Sequence, residues 1–361
     1  MDNSNKSLAF VLTSYGTGGI ERVMINYANA LCHVYNVSII SFNNSGNLKG
    51  EIDKSICLID LGNRKLRGGI FVLKKTLHRN HFDTIITGGD SLNCLVVLAT
   101  LFMRNRPQII ISQHGYPSIE LNGLGFWGKI DKICIRFIYP LADKIIAVSR
   151  GIEQYLEDEI KLPSCKISVV YNGININKII QDSNGIHKFP IPSKYFIYLG
   201  RMSAVKNIKL IINAFDMADI EESHLLLLGD GEQLEELKEY ALHLSNSNKI
   251  HFLGSVSNPF PYLKKSSALL LASYSEACPM VVIEALALGV PIVTTPSKGA
   301  KELLFGHKGV FFTESFDNIE EYAYFLKRAL IHKENFLLNN EELYSIDESI
   351  NQMIELIETK F

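Results

Sequence analysis

The chain has 361 residues, 47% of them apolar and 20% charged. That balance suits a globular protein, excludes a disordered chain, and is long enough for two domains. Formal net charge is −2, but residues 1–184 carry 20 Lys and Arg against 15 Asp and Glu, while residues 185–361 carry 16 against 23. A basic half joined to an acidic half suits two different partners, although such a split also arises without function.

The start of the chain lacks a basic segment followed by a long apolar one, so no signal peptide is expected. The longest apolar run, near "LNCLVVLATLFM", is too short to span a bilayer. The expected location is cytoplasmic, with any membrane contact peripheral. Six cysteines, at 32, 57, 94, 134, 165 and 278, form no Cys-x-x-Cys pair. They are expected to be reduced core thiols, with no zinc site.

In chain order, "SLAFVLTS" is the first expected strand, and "GTGGIERVMINYANAL" follows it as a glycine turn and a helix. Glycines let backbone approach a ligand, and a helix start favours an anion. This is neither a Walker A loop nor a dinucleotide fingerprint, because Glu21 stands where the third glycine of the latter would be. The strands "NVSIISF", "ICLID", "FDTIIT", "PQIIIS", "DKIIAVS" and "KISVVY" come next. "IIISQHGYP" puts His114 just past one of them, where a lone histidine is more often structural than catalytic. Two basic segments with aromatics, "RKLRGGIFVLKKTLHR" and "LGFWGKIDKICIRFIYP", suit either an anionic membrane surface or ordinary helices packed inward.

"QDSNGIHKFPIPSKY" reads as a linker. The second half offers strands "YFIYLG", "HLLLLG", "IHFLG", "ALLLAS", "PIVTT" and "VFF". Short continuous apolar strands separated by helices predict parallel sheets covered on both faces. The expected architecture is therefore α/β, with domains at 1–184, joined by 346–361, and at 185–345. Arg201 and Lys206 follow one strand end, where α/β sheets bind ligands, and together suit neighbouring phosphoryl groups. Gly229 and Gly231 follow another. "EACPMVVIE" sets Glu276 before a helix and Glu284 on it. In the tail, Ser345 and Glu348 form a capping box, and Ile350, Met353, Ile354 and Ile357 recur at helical spacing. Neither a Ser/His/Asp elbow nor an Asp-x-Asp is present, so hydrolase chemistry has no support and a metal-dependent sugar-nucleotide site little.

Nearly the whole chain resembles the retaining glycosyltransferases of family 4, of GT-B fold, and among them bacterial enzymes for lipid-linked oligosaccharides, O-antigens and capsules. "GTGGIERV", "DKIIAVS", "VVYNGIN", "GRMSAVKN", "LLLLGDG", "FLGSVSN" and "SEACPMVVIEALALGVPIVTT" carry the likeness in order, the last as the E-x7-E motif. Ala277 and Cys278 depart from the usual Gly and aromatic or aliphatic residue, which leaves the donor's identity open.

The resemblance implies two Rossmann-like domains facing across a cleft, with the last helix as a strap. It implies a nucleotide-sugar donor, such as a UDP-sugar, bound to the second domain, and no metal or other cofactor. Arg201 and Lys206 would neutralise the departing diphosphate. Gly18, Gly19 and Gly229 would let backbone close on the donor. Glu284 would hold the ribose, and Val256 would meet the base. Glu276 and amides around Ala277, Cys278, Pro279 and Met280 would meet the sugar and phosphate, and His114 the sugar from the first domain. The acceptor would be a polyprenyl-diphosphate-linked saccharide in bacterial surface polysaccharide synthesis. No carboxylate need act as a covalent nucleophile, so the two glutamates need not be a glycosidase pair. The alternatives are a sugar-nucleotide epimerase of the same fold and an inactive partner subunit. Nucleic acid is not an expected partner.

Overall fold

The computed structural model describes residues 6–16, 18–62, 65–120, 125–186, 191–331 and 344–359. The chain divides into two compact units, Met1–Gly173 with Ile346–Phe361 and Ile174–Ser345. The change of unit falls before the Pro- and Gly-containing stretch, because the helix Ile176–Asp182 packs with helices of the second unit.

In the first unit the strands are β1 (Ser7–Leu12), β2 (Asn36–Ser41), β3 (Cys57–Asp60), β4 (Thr84–Gly88), β5 (Gln108–Gln113), β6 (Lys144–Ala147) and β7 (Ile167–Val169). They form one parallel sheet in the order β3-β2-β1-β4-β5-β6-β7. Helices α1 (Gly19–Leu31), α2 (Leu66–Asn80), α3 (Asp90–Thr100), α4 (Pro117–Glu120), α5 (Gly125–Ile138) and α6 (Arg150–Tyr155) connect them. Phe10 of β1 lies opposite Ile39 on one side and Ile86 on the other, and all three are fully buried. Burial on both faces of the central strands β1, β4, β5 and β6 explains why they read as unbroken apolar runs, while edge strand β3 is largely exposed.

The second unit begins with α7 (Ile176–Asp182) and has strands β8 (Tyr195–Leu199), β9 (His224–Leu228), β10 (Ile250–Gly254), β11 (Leu269–Leu271), β12 (Ile292–Thr294) and β13 (Val310–Phe312). Their order is β10-β9-β8-β11-β12-β13, again parallel. The further helices are α8 (Ile208–Ala218), α9 (Leu234–Leu242), α10 (Phe260–Lys265), α11 (Met280–Ala287), α12 (Lys298–Leu304) and α13 (Ile319–Ile331). One core cluster joins Phe196, Ile211, Phe215, Leu227, Tyr322 and Leu326 of this sheet and its helices. In both sheets the order turns back at the first strand, which puts ligand-binding loops at the C-terminal strand ends.

The last helix, α14 (Ile346–Glu358), belongs to the first unit. It starts one residue after Ser345, and Met353 and Ile357 are buried as their spacing predicted. Glu358 takes bonds from Lys6 and from the Tyr35 hydroxyl, and Lys144 Nζ donates to the Leu356 carbonyl at 2.8 Å. These bonds strap the chain end to that unit.

The cysteines correct one expectation. Only Cys94 and Cys278 are buried, Cys57 and Cys165 are exposed, and all six are free thiols.

Candidate active site

In the second unit the loops after β8, β9, β10 and β11 are tied together through their backbones. Gly200 N donates to Leu228 O, Met202 N to Asp230 O at 2.8 Å, and Gly229 N to Gly254 O at 2.9 Å. Tyr274 N donates to Val205 O at 2.9 Å. Gly229 is required by this approach. Its φ is +143°, and a Cβ there would stand 1.8 Å from the Gly200 carbonyl oxygen. Val256 is half-buried in the loop after β10.

Arg201 and Lys206 both sit in the loop after β8, and each has a carboxylate partner. Arg201 is exposed and forks onto Glu232 Oε2 at 3.1 and 3.2 Å. An exposed pair of this kind adds little stability, so Arg201 is held in place but is easily recruited by a stronger anion. The hydroxyl of buried Tyr198 donates to the Arg201 carbonyl at 2.8 Å and braces the turn.

Lys206 lies deeper. Its Nζ is 2.7 Å from Oε1 of Glu276, whose side chain is 10% exposed. The Ser273 hydroxyl donates to the same Oε1 at 2.6 Å. Burial, and then the charge of Glu276, push the Tyr198 hydroxyl far above its usual range, so it stays a neutral donor. The backbone of Glu276 is fixed as well, since its carbonyl accepts from Gly299 N at 2.9 Å. A Cβ at Gly299 would lie 2.5 Å from the Ala277 carbonyl, so only glycine lets α12 approach this loop.

Ala277 and Cys278 are buried, and Pro279 caps the start of α11 in an extended conformation. Ala277 does not occupy the left-handed region, so alanine in place of the usual glycine is unstrained. Met280 opens α11, and Glu284 stands on it, partly exposed. α11 begins directly after the loop that carries Glu276, and its Val282 N donates to the Pro279 carbonyl at 3.0 Å.

In the first unit, Gly18 caps α1 and Gly19 opens it, at the C-terminal end of β1. His114 follows β5, and a Cβ at Gly88 would come within 3.1 Å of its Nε2 and 3.0 Å of Ile20 and Met24. The His114 Nε2 is buried with no hydrogen-bond partner among the described residues. Burial pushes its pKa down to about 4, so it is a neutral imidazole at physiological pH. Gln113 fixes the adjoining turn. Its Nε2 donates to Asp90 Oδ1 and to Gly115 O, both at 2.8 Å, and its Oε1 accepts from Tyr139 at 2.8 Å.

Sequence reasoning had not found Ser273, Tyr198, Gly299, Gln113 or Asp90. Gly299 and Asp90 meet distant segments, whereas Ser273 and Tyr198 each bond a residue only three positions on, Glu276 and Arg201, through contacts that no residue pattern marks.

Residues 17–178 match the family described as Glycosyltransferase Family 4, and residues 180–340 match Glycosyl transferases group 1. An uncharacterized glycosyltransferase of Methanocaldococcus jannaschii is 30% identical over 71% of this chain and 68% of its own length. The chain belongs to the group 1, family 4 glycosyltransferases. A second relative is 27% identical over 83% of this chain and 84% of its own. It is the Campylobacter jejuni N-acetylgalactosamine-N,N'-diacetylbacillosaminyl-diphospho-undecaprenol 4-alpha-N-acetylgalactosaminyltransferase. Anabaena Alr3699/HepE, solved in complex with UDP and glucose, superimposes with a TM-score of 0.80 at 17% identity, over 98% of this chain and 99% of that one. The fold of this glycosyltransferase is therefore GT-B.

Proposed function

We propose that the chain moves a hexose or N-acetylhexosamine, with retention, from a UDP-sugar to a polyprenyl-diphosphate-linked saccharide in bacterial surface polysaccharide synthesis. The array of Arg201, Lys206 and Glu276 beside the start of α11 carries this reading. Two cations at one strand edge suit a diphosphate, and a fixed carboxylate next to them suits the hydroxyls of an attached sugar. As the anomeric C–O bond breaks, negative charge grows on the diphosphate, and Arg201 and Lys206 stabilise it in the role a metal ion plays elsewhere. Glu284 holds the ribose hydroxyls, backbone at Val256 reads the base, and Gly229 keeps the loops close. Amides from Ala277 to Met280 support the phosphate and the sugar.

To the first unit we assign the acceptor; Gly18, Gly19 and His114, which the family resemblance gives to the donor, lie at C-terminal strand ends of that unit. The acceptor's lipid follows from the Campylobacter relative's name. Incubation with a panel of nucleotide-sugars and undecaprenyl-diphosphate-linked saccharides tests the reaction. One donor should raise the unfolding temperature and give an acceptor-dependent product. Isomerisation of a free nucleotide-sugar without acceptor would overturn transfer in favour of epimerisation.

Such a lipid lies in a membrane, yet no helix among the described residues is long and apolar enough to cross one. We therefore propose peripheral binding through the first unit. There α3 packs beside both α2 and α5. Phe71 of α2 and Ile133 and Phe137 of α5 are exposed, as are Lys74, Lys75 and Arg136. Leu73 and Leu77, by contrast, turn inward and are core. The side chains of Arg64, Arg67, Phe126, Trp127 and Lys129, also in the basic segments, lie outside the described residues. Exposed aromatics flanked by lysine and arginine suit an anionic leaflet. The chain should sediment with vesicles containing anionic lipid and be released by salt. Equal recovery in the supernatant with and without those vesicles would remove the idea.

A further inference from the structure

We propose that Ser273 is a positioning residue that holds Glu276 in place while Lys206 changes partner. The proposal rests on the reading of Lys206 and Glu276 given above. Ser273 is fully buried directly beyond β11, and its carbonyl accepts from Thr295 Oγ1 at 2.9 Å, which fixes its backbone. Its hydroxyl and the Lys206 amine converge on a single oxygen, Oε1 of Glu276, at 2.6 and 2.7 Å. No hydrogen bond from a described residue reaches Oε2. One oxygen is thus spent on the protein, and the other is left for a ligand.

The two bonds to Oε1 differ in kind. Lys206 is a flexible cation, and a diphosphate carries more charge than one carboxylate, so a bound donor draws the amine away. Ser273 is a short, buried side chain with no competing anion. When the amine leaves, the hydroxyl bond and the Gly299-to-Glu276 backbone bond remain. Oε2 then stays aimed at the sugar as the diphosphate is captured. Without Ser273, the same exchange would release the carboxylate that discriminates the sugar.

Two arms test this. The first needs no substrate. Urea unfolding is measured for wild type, Ser273→Ala, Lys206→Met and the double variant. If both side chains serve one buried carboxylate, Ser273→Ala should lower the unfolding midpoint at least twice as much in the Lys206→Met background as alone. The second arm uses the donor that wild type turns over. Ser273→Ala should lower kcat about tenfold, the scale of one hydrogen bond to a charged group. It should relax discrimination between epimeric donors, and leave affinity for the bare nucleoside diphosphate within about twofold, the margin below one such bond. In a Glu276→Gln background, Ser273→Ala should cost no further kcat.

Additive midpoint shifts would overturn the shared anchor. So would an unchanged kcat in Ser273→Ala, or an equal loss of kcat with Gln at 276, which marks a merely structural serine. If wild type transfers no sugar from any donor while the midpoints are coupled, the transferase reading fails and the anchor stands.

Discussion

Lys206→Ala should lower turnover by about 10²–10³-fold, the scale for losing one preorganised donor, and should destabilise the second unit as well. The two effects have separate causes. On the proposed reading, turnover falls because the departing diphosphate loses a cation. Stability falls because Glu276, 10% exposed in its side chain, loses its counter-charge and keeps only the Ser273 hydroxyl. Stranding a buried charged acceptor costs about 1–3 kcal/mol or more. The causes can be separated by adding Glu276→Gln. The double variant should regain much of the stability, since the uncompensated charge is gone, and none of the turnover. Urea unfolding and donor turnover of wild type, Lys206→Ala, Glu276→Gln and the double variant read both. A folded Lys206→Ala variant with near-full turnover would remove the lysine from the reaction.

Gly229→Ala should be the most damaging single methyl in the second unit. Its φ of +143° is one that L side chains rarely adopt, and the new Cβ would sit 1.8 Å from a backbone oxygen of Gly200. That oxygen cannot rotate away. The turn bearing it is pinned by the Gly200-to-Leu228 and Met202-to-Asp230 bonds. Backbone strain and overpacking each cost about 1–3 kcal/mol, so the sum is about 4 kcal/mol. For a unit of this size that is a fall in Tm of about 8–16 °C. Gly19→Ala is the control for the method. Nothing lies within 4 Å of a Cβ there, and Gly19 has no left-handed φ, so Tm should stay close to wild type. Thermal unfolding of the two variants side by side decides it. A Gly229→Ala protein as stable as Gly19→Ala would mean that the loops after β8 and β9 are not locked together.

Much of the fold was legible because its central strands are buried on both faces. All thirteen expected strands formed, each from a run such as "LAFVL" or "HLLLL" that needs no partner to be recognised. The glutamates of "EACPMVVIE" were also legible, since spacing alone puts one before a helix and the other on it. The cysteines were less so. Composition predicts their redox state, but exposure of Cys57 and Cys165 depends on which surface each segment finds. The basic segment at α2 was half legible, as helical periodicity left open which side faces inward; packing buried Leu73 and Leu77 and exposed Phe71.

The sequence by itself determined the parallel α/β architecture, the glycine turns and the residue types gathered at the strand ends. These follow from local chemistry, in which apolar runs, glycines and charges act over a few neighbours. Only the tertiary structure decided which charges pair. Lys206 finds Glu276 seventy positions away, Arg201 finds Glu232, and Ser273 takes up the oxygen that Lys206 also holds. The two ion pairs need strand ends placed side by side in one sheet, whereas Ser273 reaches Glu276 three residues on within one loop. Strand order is set by how helices and strands bury their apolar faces together, and no single segment carries that information.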